Sequence, residues 1–447
     1  MNLRFRALAR GSGVLVSLLA ASLACGCTAD AADDAATSDD ALNVVGAATD
    51  NTFGSGGELD AQSALSLAPD GSFASAHDEG GFLVLERRTK DGAPLASFSS
   101  ATARIAHAKL ARPRAAWSPA APTERTILCE TGVEPNGVTY AVGYVKQKTP
   151  QGHPTYSGFV VITSADGSKV GGFAEGLGIP DYGWAKELPM CLSSVRTGDG
   201  HLLVQFGVER ESMAGIRAIV PLDPTAHSLD APGSFDGDPH VTGYSSYRTN
   251  NVFAGPAFAL GDGRMVTGLK DAYHYTPTAG FSIDRVEGMS SSGKRVRVPF
   301  RSLRVDDSSI SLLTEGKRIV DPTIPVIDSR VNYTFSYAIE SYDFAGTKKM
   351  SISVSPLDRP ADTTPTAAVR DSSGRMWVVL DAPARDAASP LKRFIIRYRA
   401  DGTRDAAFGT AALTGPSAEP MLTAQVQGTN LLVGTKIASG YHYVRLK

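Results

Sequence analysis

The sequence predicts an all-β chain: a seven-bladed β-propeller of four-stranded antiparallel blades, closed by pairing of its N- and C-terminal strands. Three observations predict it. Glycine-bearing turns recur seven times at a near-constant spacing. A second hairpin signal follows within each of the first six units. The strand missing from the last unit has a match near the amino terminus. Composition agrees: 45 of 447 residues are glycine and 20% are charged, without long helical periodicity, the profile of a turn-rich all-β protein. Length alone would admit two or three domains, and the repeat argues for one.

Along the chain, Arg4, Arg6 and Arg10 stand in a leader without acidic residues, followed by an apolar stretch from Val14 to Ala24. The stretch is shorter than the ~20 residues of a membrane-spanning helix and reads as a secretory signal. Ala24 precedes Cys25 and Gly26 precedes Cys27. A small residue directly before cysteine resembles the bacterial lipobox, in which the cysteine is acylated and becomes the first mature residue. Either Cys25 or Cys27 is the expected lipidation site, and simple cleavage here would instead give a secreted protein. Residues 1–27 are thus a lipoprotein-type signal peptide. Residues 28–49, rich in Ala and Asp, are expected to be a disordered tether with too little apolar surface to offset the entropy of ordering. The expected location is the outer membrane, facing the periplasm or the cell surface.

Residues 50–447 form the predicted propeller. Its first signal is an apolar strand running into a turn that ends in Gly71, Gly137, Gly200, Gly263, Gly316, Gly374 or Gly428, at spacings of 66, 63, 63, 53, 58 and 54 residues. Asp-Gly and Asn-Gly suit tight hairpins because glycine accepts positive φ at no steric cost. The second signal is a strand from Phe82, Phe159 or Phe394 to Asp91-Gly92, Asp166-Gly167 or Asp401-Gly402, with Phe98, Phe173 or Phe408 seven residues past each Asp. Weaker versions span residues 216–223, 281–293 and 333–346. Each unit therefore reads as two hairpins, with limits near 58–125, 126–189, 190–250, 251–302, 303–361, 362–415 and 416–447. One such sheet cannot bury both faces alone, whereas a radial array buries each against a neighbour. The last unit stops at Lys447 before its fourth strand, and Asp50 to Gly57 aligns with Asp405 to Ala412. The amino-terminal segment 50–57 is therefore expected to complete the final blade and remove two aggregation-prone edges.

At these residues the sequence resembles the bacterial delta-60 repeat family. Arg397, Asp401, Gly402, Asp405, Phe408 and Gly409 match its unit best, and Pro69-Asp70-Gly71 with Phe82 to Phe98 matches next. The resemblance implies an exported propeller-like protein and carries over no catalytic residues. The turn Asp371-Ser372-Ser373-Gly374-Arg375-Met376-Trp377 also looks like turns of other propeller families.

Charge narrows the partners. Without the three leader arginines, 44 basic against 46 acidic residues become 41 against 46, a net charge near −5. No stretch is basic enough to follow phosphates, so nucleic acid is not an expected partner. Cys129 and Cys191 lie on equivalent first strands of adjacent units, and an exported protein is expected to join them as a disulfide; the alternative is two buried thiols. Gly288 to Arg295 mimics a phosphate-binding loop, but Arg295 stands where the motif needs Ser or Thr, and Val296-Arg297-Val298 alternates like a strand. No cofactor is predicted. The eight histidines have no metal-ligand spacing, and neither a Gly-x-Ser-x-Gly elbow nor a His-Glu-x-x-His helix occurs. The candidate ligand loops are the aromatic insertions at Tyr182 and Trp184, Tyr244 and Tyr247, and Tyr273, His274 and Tyr275, since loops on a rigid scaffold commonly carry binding; the alternative is that they cover blade ends. The sequence-level reading is a monomeric envelope scaffold that binds a glycan, peptide or partner protein without catalysis. Its alternative is a propeller hydrolase or lyase acting on sugars or lactones, with a metal near the central channel.

Overall fold

Strands that alternate on both faces and turns with one fixed chemistry account for the architecture. The computed structural model describes residues 43–45, 49–111, 123–148, 154–176, 189–196, 201–208, 214–226, 229, 242–248, 252–259, 264–271, 280–285, 294–296, 298, 300–305, 309–319, 333–382, 392–414, 423–437 and 440–447. A short strand β1 (Asn43–Val45) and β2 (Glu58–Ala61) precede the first complete sheet. Sheet 1 holds β3 to β6 (Ser66–Leu67, Phe73–Glu79, Phe82–Arg88, Arg104–Ala106), followed by one helical turn at His107–Leu110. Sheet 2 holds β7 to β10 (Thr123–Val133, Thr139–Lys148, Pro154–Thr163, Val170–Gly176). Sheet 3 holds β11 to β14 (Pro189–Arg196, His201–Val208, Ala214–Pro221, Thr242–Arg248), and sheet 4 holds β15 to β18 (Val252–Ala259, Arg264–Asp271, Gly280–Arg285, Lys294–Val296). Sheet 5 holds β19 to β22 (Phe300–Val305, Ile310–Ile319, Tyr333–Tyr342, Lys348–Ser353). Sheet 6 holds β23 to β26 (Thr364–Arg370, Met376–Asp381, Lys392–Tyr398, Thr410–Thr414). The last strands, β27 to β29 (Thr423–Gln427, Asn430–Ile437, Gly440–Leu446), join β2 in sheet 7. Every sheet is antiparallel, with consecutive strands adjacent except where β2 pairs with β29 in sheet 7 and where sheet 6 gains β1 beside β26 as a fifth strand.

Sheet 2 shows why these runs are strands. Tyr140, Val142, Tyr144, Val160 and Ile162 pack with Leu202, Val204 and Val220 of sheet 3. The intervening Ala141, Val145, Phe159 and Val161 pack with Leu83, Leu85 and Ile105 of sheet 1. A two-residue period with apolar groups at both phases sends alternate side chains to opposite neighbours, so neither face can be solvated. Each fully buried Val, Leu, Ile or Phe contributes about 1.5–3 kcal/mol of transfer energy. Equivalent apolar clusters join sheets 4 and 5, 5 and 6, 6 and 7, and 7 and 1.

The turns repeat one device. Asp70, Asp166, Asp371 and Asp401 each accept through Oδ1 the backbone N–H and the hydroxyl of the Ser or Thr two residues on. The turn glycine, between the two residues at Gly71 (81°) and Gly402 (84°) and just after Ser373 at Gly374 (83°), takes φ near +80°, a conformation that glycine reaches without a Cβ clash.

Three expectations need correction. The strand that pairs with β29 is Glu58–Ala61, with Glu58 opposite Val444; residues 50–57 are the turn before it, where Phe53 lies fully buried. Residues 43–45 are not part of a disordered tether, because Asn43-Val44-Val45 covers the edge of β26 with Val44 opposite Leu413; two β-branched residues beside an open ladder favour pairing. Gly316 is not a turn. It lies inside β20, opposite Ser336, and the connection between β19 and β20 falls at residues 306–309 instead. The apolar run ending at Glu315-Gly316 continues as a strand because its partner β21 extends equally far.

Candidate functional site

Of the residues singled out by sequence, Cys25, Cys27, Tyr182, Trp184, Tyr273, His274 and Tyr275 lie outside the described residues. Tyr244 and Tyr247 belong to strand β14 and not to a loop, with Tyr247 opposite Gly215; the Thr- and Tyr-rich segment has strand propensity that outweighs its reading as an insertion. Cys129 lies on β7 and is disulfide-bonded. Cys191 lies on β11, the first strand of the adjoining sheet. The phosphate-loop mimic ends in β18, paired with β17, so Lys294 and Arg295 stand in a strand.

Several buried charges are structural clasps. Arg397 on β25 donates from Nε to Asp405 at 2.8 Å, and its guanidinium carbon stands 4.8 Å from the Trp377 ring and 4.6 Å from the Phe408 ring. Asp371 receives Trp377 Nε1 at 3.1 Å and Arg375 Nε at 2.6 Å. The same arrangement recurs between the two ends of the chain. Arg445 on β29 lies 3.0 Å from Asp50 and 4.9 Å from the Phe53 ring, and donates to Gln427 at 2.6 Å and to the Lys90 carbonyl at 2.8 Å. Burial pushes the Asp50 carboxyl up, but hydrogen bonds from Thr52 and Lys447 and the Arg445 charge outweigh it and hold the group at about 2. In sheet 1 the corresponding Arg87 has Leu95 where Asp405 stands, and donates to Ser72 at 2.7 Å and to the Gly137 carbonyl of sheet 2 at 3.1 Å. Arg445 and Arg87 thereby tie neighbouring sheets together, while Arg397 closes its clasp within sheet 6, and Arg87 and Arg397 each keep one buried nitrogen without a partner.

One cluster differs. Between sheets 5 and 6, Tyr337 of β21 is buried, and the guanidinium carbons of Arg301 and Arg359 lie 5.6 and 5.7 Å from its ring centroid. Arg301 comes from β19, and Arg359 follows the short 3₁₀ turn Pro356–Asp358 that leads towards β23. Glu315, opposite Tyr337 across the β20–β21 ladder, accepts Arg301 Nε at 2.6 Å. Among the described residues the Arg301 Nη atoms have no hydrogen-bond partner, and Arg359 Nε is buried with none. A buried donor left unsatisfied costs about 1–3 kcal/mol, more when charged, a cost that Arg359 shares with Arg87, Arg88, Arg397 and Arg445. Burial pushes the Tyr337 phenol up, with the Glu315 charge adding to it and Arg301, Thr364 and Arg359 opposing. Near these residues in sequence lie the two large apolar residues that the described part of the chain leaves exposed: Phe335, 45% exposed, and Leu357, 95% exposed. Phe335 shares the Tyr337 face of β21 by the two-residue period, and Leu357 is two residues from Arg359.

Sequence reasoning missed this cluster because Arg301 and Tyr337 lie on different strands of sheet 5 and Arg359 on the connection that follows it, with no shared spacing. The usable signal was Phe335-Ser336-Tyr337, an aromatic pair on one strand face. Arg304, further along β19, is exposed yet crowded by protein, which pulls its guanidinium below the usual value. Among the described residues no group of three His, Cys, Asp or Glu side chains is placed to hold a metal ion. His442 pairs with Asp60 at 2.7 Å across the β2–β29 ladder, and His107 with Asp78 at 3.0 Å.

No known family pattern and no curated protein matches the chain in sequence. Solved structures that are similar in shape include prolyl oligopeptidase B from Galerina marginata, at 10% identity and TM-score 0.40 over 88% of this chain and 47% of that one. This chain thus spans about half the length of the oligopeptidase. BamB from Moraxella catarrhalis is similar at 10% identity and TM-score 0.32, over 91% of this chain and all of that one. A Trypanosoma rangeli sialidase in complex with sialic acid is similar at 12% identity and TM-score 0.37, over 86% of this chain and 60% of that one. At these values the likeness assigns no activity.

Proposed function

We propose that the protein is an exported, lipid-anchored seven-bladed propeller of the delta-60 type, working in the cell envelope as a scaffold that binds a glycan, peptide or partner protein. Support for a ring comes from sheet 7, which holds both ends of the chain, and from the apolar cluster of Phe53, Leu65, Phe73, Leu432 and Tyr443 between sheets 7 and 1. An open stack would leave that first face bare. The observation that carries the binding role is the cluster between sheets 5 and 6. There, the guanidinium carbons of Arg301 and Arg359 stand within 5.7 Å of the one buried Tyr337 ring, and Phe335, two residues along the same strand, is an exposed apolar side chain. The aromatic segments at Tyr182, Trp184, Tyr273, His274 and Tyr275 are further candidate contacts in this reading.

The test is binding of the purified full-length protein to glycan and peptide arrays, with parallel turnover assays on sugar esters and lactones and divalent-metal analysis. Saturable binding without turnover is expected. Turnover together with a stoichiometric metal would replace the scaffold by the hydrolase or lyase reading. Anchoring is checked by incorporation of labelled fatty acid, which Cys25→Ala or Cys27→Ala, one of the two, should abolish; label retained in the double variant would remove the anchor.

A further inference from the structure

We infer that the β20–β21 ribbon of sheet 5 is a docking edge for a partner protein, which adds an extended, acidic strand beside residues 333–336 of β21. The inference rests on the scaffold reading and names the kind of partner and the surface it uses.

These two strands outrun their neighbours. β19 reaches only Thr314 of β20, and β22 ends at Ser353 opposite Ala338. The β20–β21 ladder continues without a bulge to Ile319 opposite Tyr333. Beyond the flanking strands the ribbon meets solvent, with Gly316, Phe335 and Ser336 all exposed. One bond fixes the backbone direction. The Val354 N–H donates to the Tyr337 carbonyl at 2.9 Å, so Tyr337 turns its backbone groups away from β20. Alternation along an unbulged strand turns those of Phe335 and Tyr333 the same way. Continued in that register, the residue due opposite Phe335 is Pro356. It has no N–H to give and opens the 3₁₀ turn Pro356–Asp358. Among the described residues no backbone group meets the Phe335 N–H or carbonyl on that side.

The bare stretch is also unguarded. Sheet edges elsewhere carry Arg104 on β6, Lys294 and Arg295 on β18, and Lys348 and Lys349 on β22, or, at β26, the added strand β1. Charge, shortness and cover are devices that keep an edge from pairing. Residues 333–336 are Tyr, Thr, Phe and Ser, without charge, Gly or Pro, and the first three favour strands. The mode of addition is already present in this molecule, where β1 lies antiparallel on β26. Charge complementarity sets the chemistry of the partner. Residues 316–319 and 333–336 include Lys317 and Arg318 and no acidic residue, so the ribbon favours a strand with acidic side chains. A second copy fits less well. Two positive ribbons repel, and four residues a side, about 14 Å of strand, fall far short of the roughly 1,000 Å² of a stable interface.

The probe is a fluorescein-labelled Asp-Thr-Val-Thr-Val-Thr-Asp peptide, measured by polarisation against the full-length protein. Saturable binding is expected. Two versions N-methylated on alternate amides, one in each phase, separate backbone pairing from side-chain contact. One phase should weaken binding by about 10-fold or more and the other little, since only one edge of the peptide faces β21. Phe335→Pro removes the outward N–H, leaves the β20–β21 ladder whole, and should weaken the peptide about 10-fold. Phe335→Thr keeps the N–H and should cost only about 2- to 5-fold. A Lys-for-Asp peptide should bind several-fold more weakly. Unchanged thermal melting of both variants separates lost binding from lost folding, and the N-methyl comparison needs no variant. Equal binding of the two N-methylated phases, of the Asp and Lys peptides, or of Phe335→Pro and Phe335→Thr would overturn the assignment. So would a parent protein that does not bind the peptide. Dimers that form with rising protein concentration and vanish in Phe335→Pro would give the edge to a second copy instead. In each of these cases saturable binding on the arrays leaves the scaffold reading standing, whereas turnover with a stoichiometric metal removes that reading whatever the peptide does.

Discussion

Truncating Phe53 to alanine measures what the chain ends gain by sharing a sheet. The side chain has no exposed surface, meets the edge of Phe73 at 6.0 Å between ring centroids, and lies 4.9 Å under the Arg445 guanidinium. Buried Phe→Ala substitutions cost about 3–5 kcal/mol, transfer and cavity terms together. The upper half of that range is expected here, because Leu65, Leu432 and Tyr443 around the ring are held in strands or against them and collapse little. Phe408→Ala is the internal control. It occupies the same position in sheet 6, 5.1 Å from Trp377 and 4.6 Å from Arg397, but covalent chain continues into described sheet on both of its sides. Both variants should lose stability in urea unfolding followed by tryptophan fluorescence. Only Phe53→Ala should also release residues 49–61, read as early cleavage there by a dilute protease, since strand pairing and the contacts of Asp50, Phe53 and Asp60, and no nearby peptide bond, hold that segment to β29. A loss below about 1 kcal/mol for Phe53→Ala, or equal protection of residues 49–61 in both variants, would refute the view that a terminal clasp closes sheet 7.

Three further predictions follow from the same geometry. Asp50 is held at about 2 against an ordinary 3.8, so its contribution is complete above pH 4 and is lost as pH falls towards 2; Asp50→Asn should remove about 1–2 kcal/mol at pH 7 after allowance for screening and flatten the acid limb of the stability curve between pH 4 and 2. Gly54 and Gly409 both follow the clasp phenylalanine with positive φ (55° and 68°), but a Cβ at Gly54 would overlap the Glu58 carbonyl whereas one at Gly409 meets nothing. Gly409→Ala should cost about 1–2 kcal/mol of backbone strain and Gly54→Ala clearly more, compared by thermal melting. Non-reducing peptide mapping should recover Cys129 joined to Cys191, and Cys129→Ser should destabilise by up to about 4 kcal/mol for a loop of this length; a map joining Cys129 to any other cysteine rejects the pairing.

Local chemistry settled much of the fold before any coordinates. The Asp-Gly and Asn-Gly turns at 70–71, 136–137, 166–167 and 401–402 are legible because a carboxylate or amide that bonds the residue two positions on, followed by glycine, has few other uses. The strands of sheets 1, 2 and 6 are legible because both of their faces are apolar. The repeat also exposed the Arg-Asp-Phe pattern of 397, 405 and 408 and its shadow at Asp50 and Phe53. What sequence could not supply was the partner of each device. Arg445 completes the pattern with Asp50 from the opposite end of the chain, a pairing that no local spacing encodes. Glu315-Gly316 mimicked a turn, and only the equal length of the strand beside it kept the segment extended. The cluster of Arg301, Tyr337 and Arg359 exists because a sheet and the connection after it pack together, and side chains brought together by packing leave no periodic trace. Turns and strand periodicity are properties of neighbours in sequence; clasps and sites are properties of neighbours in space.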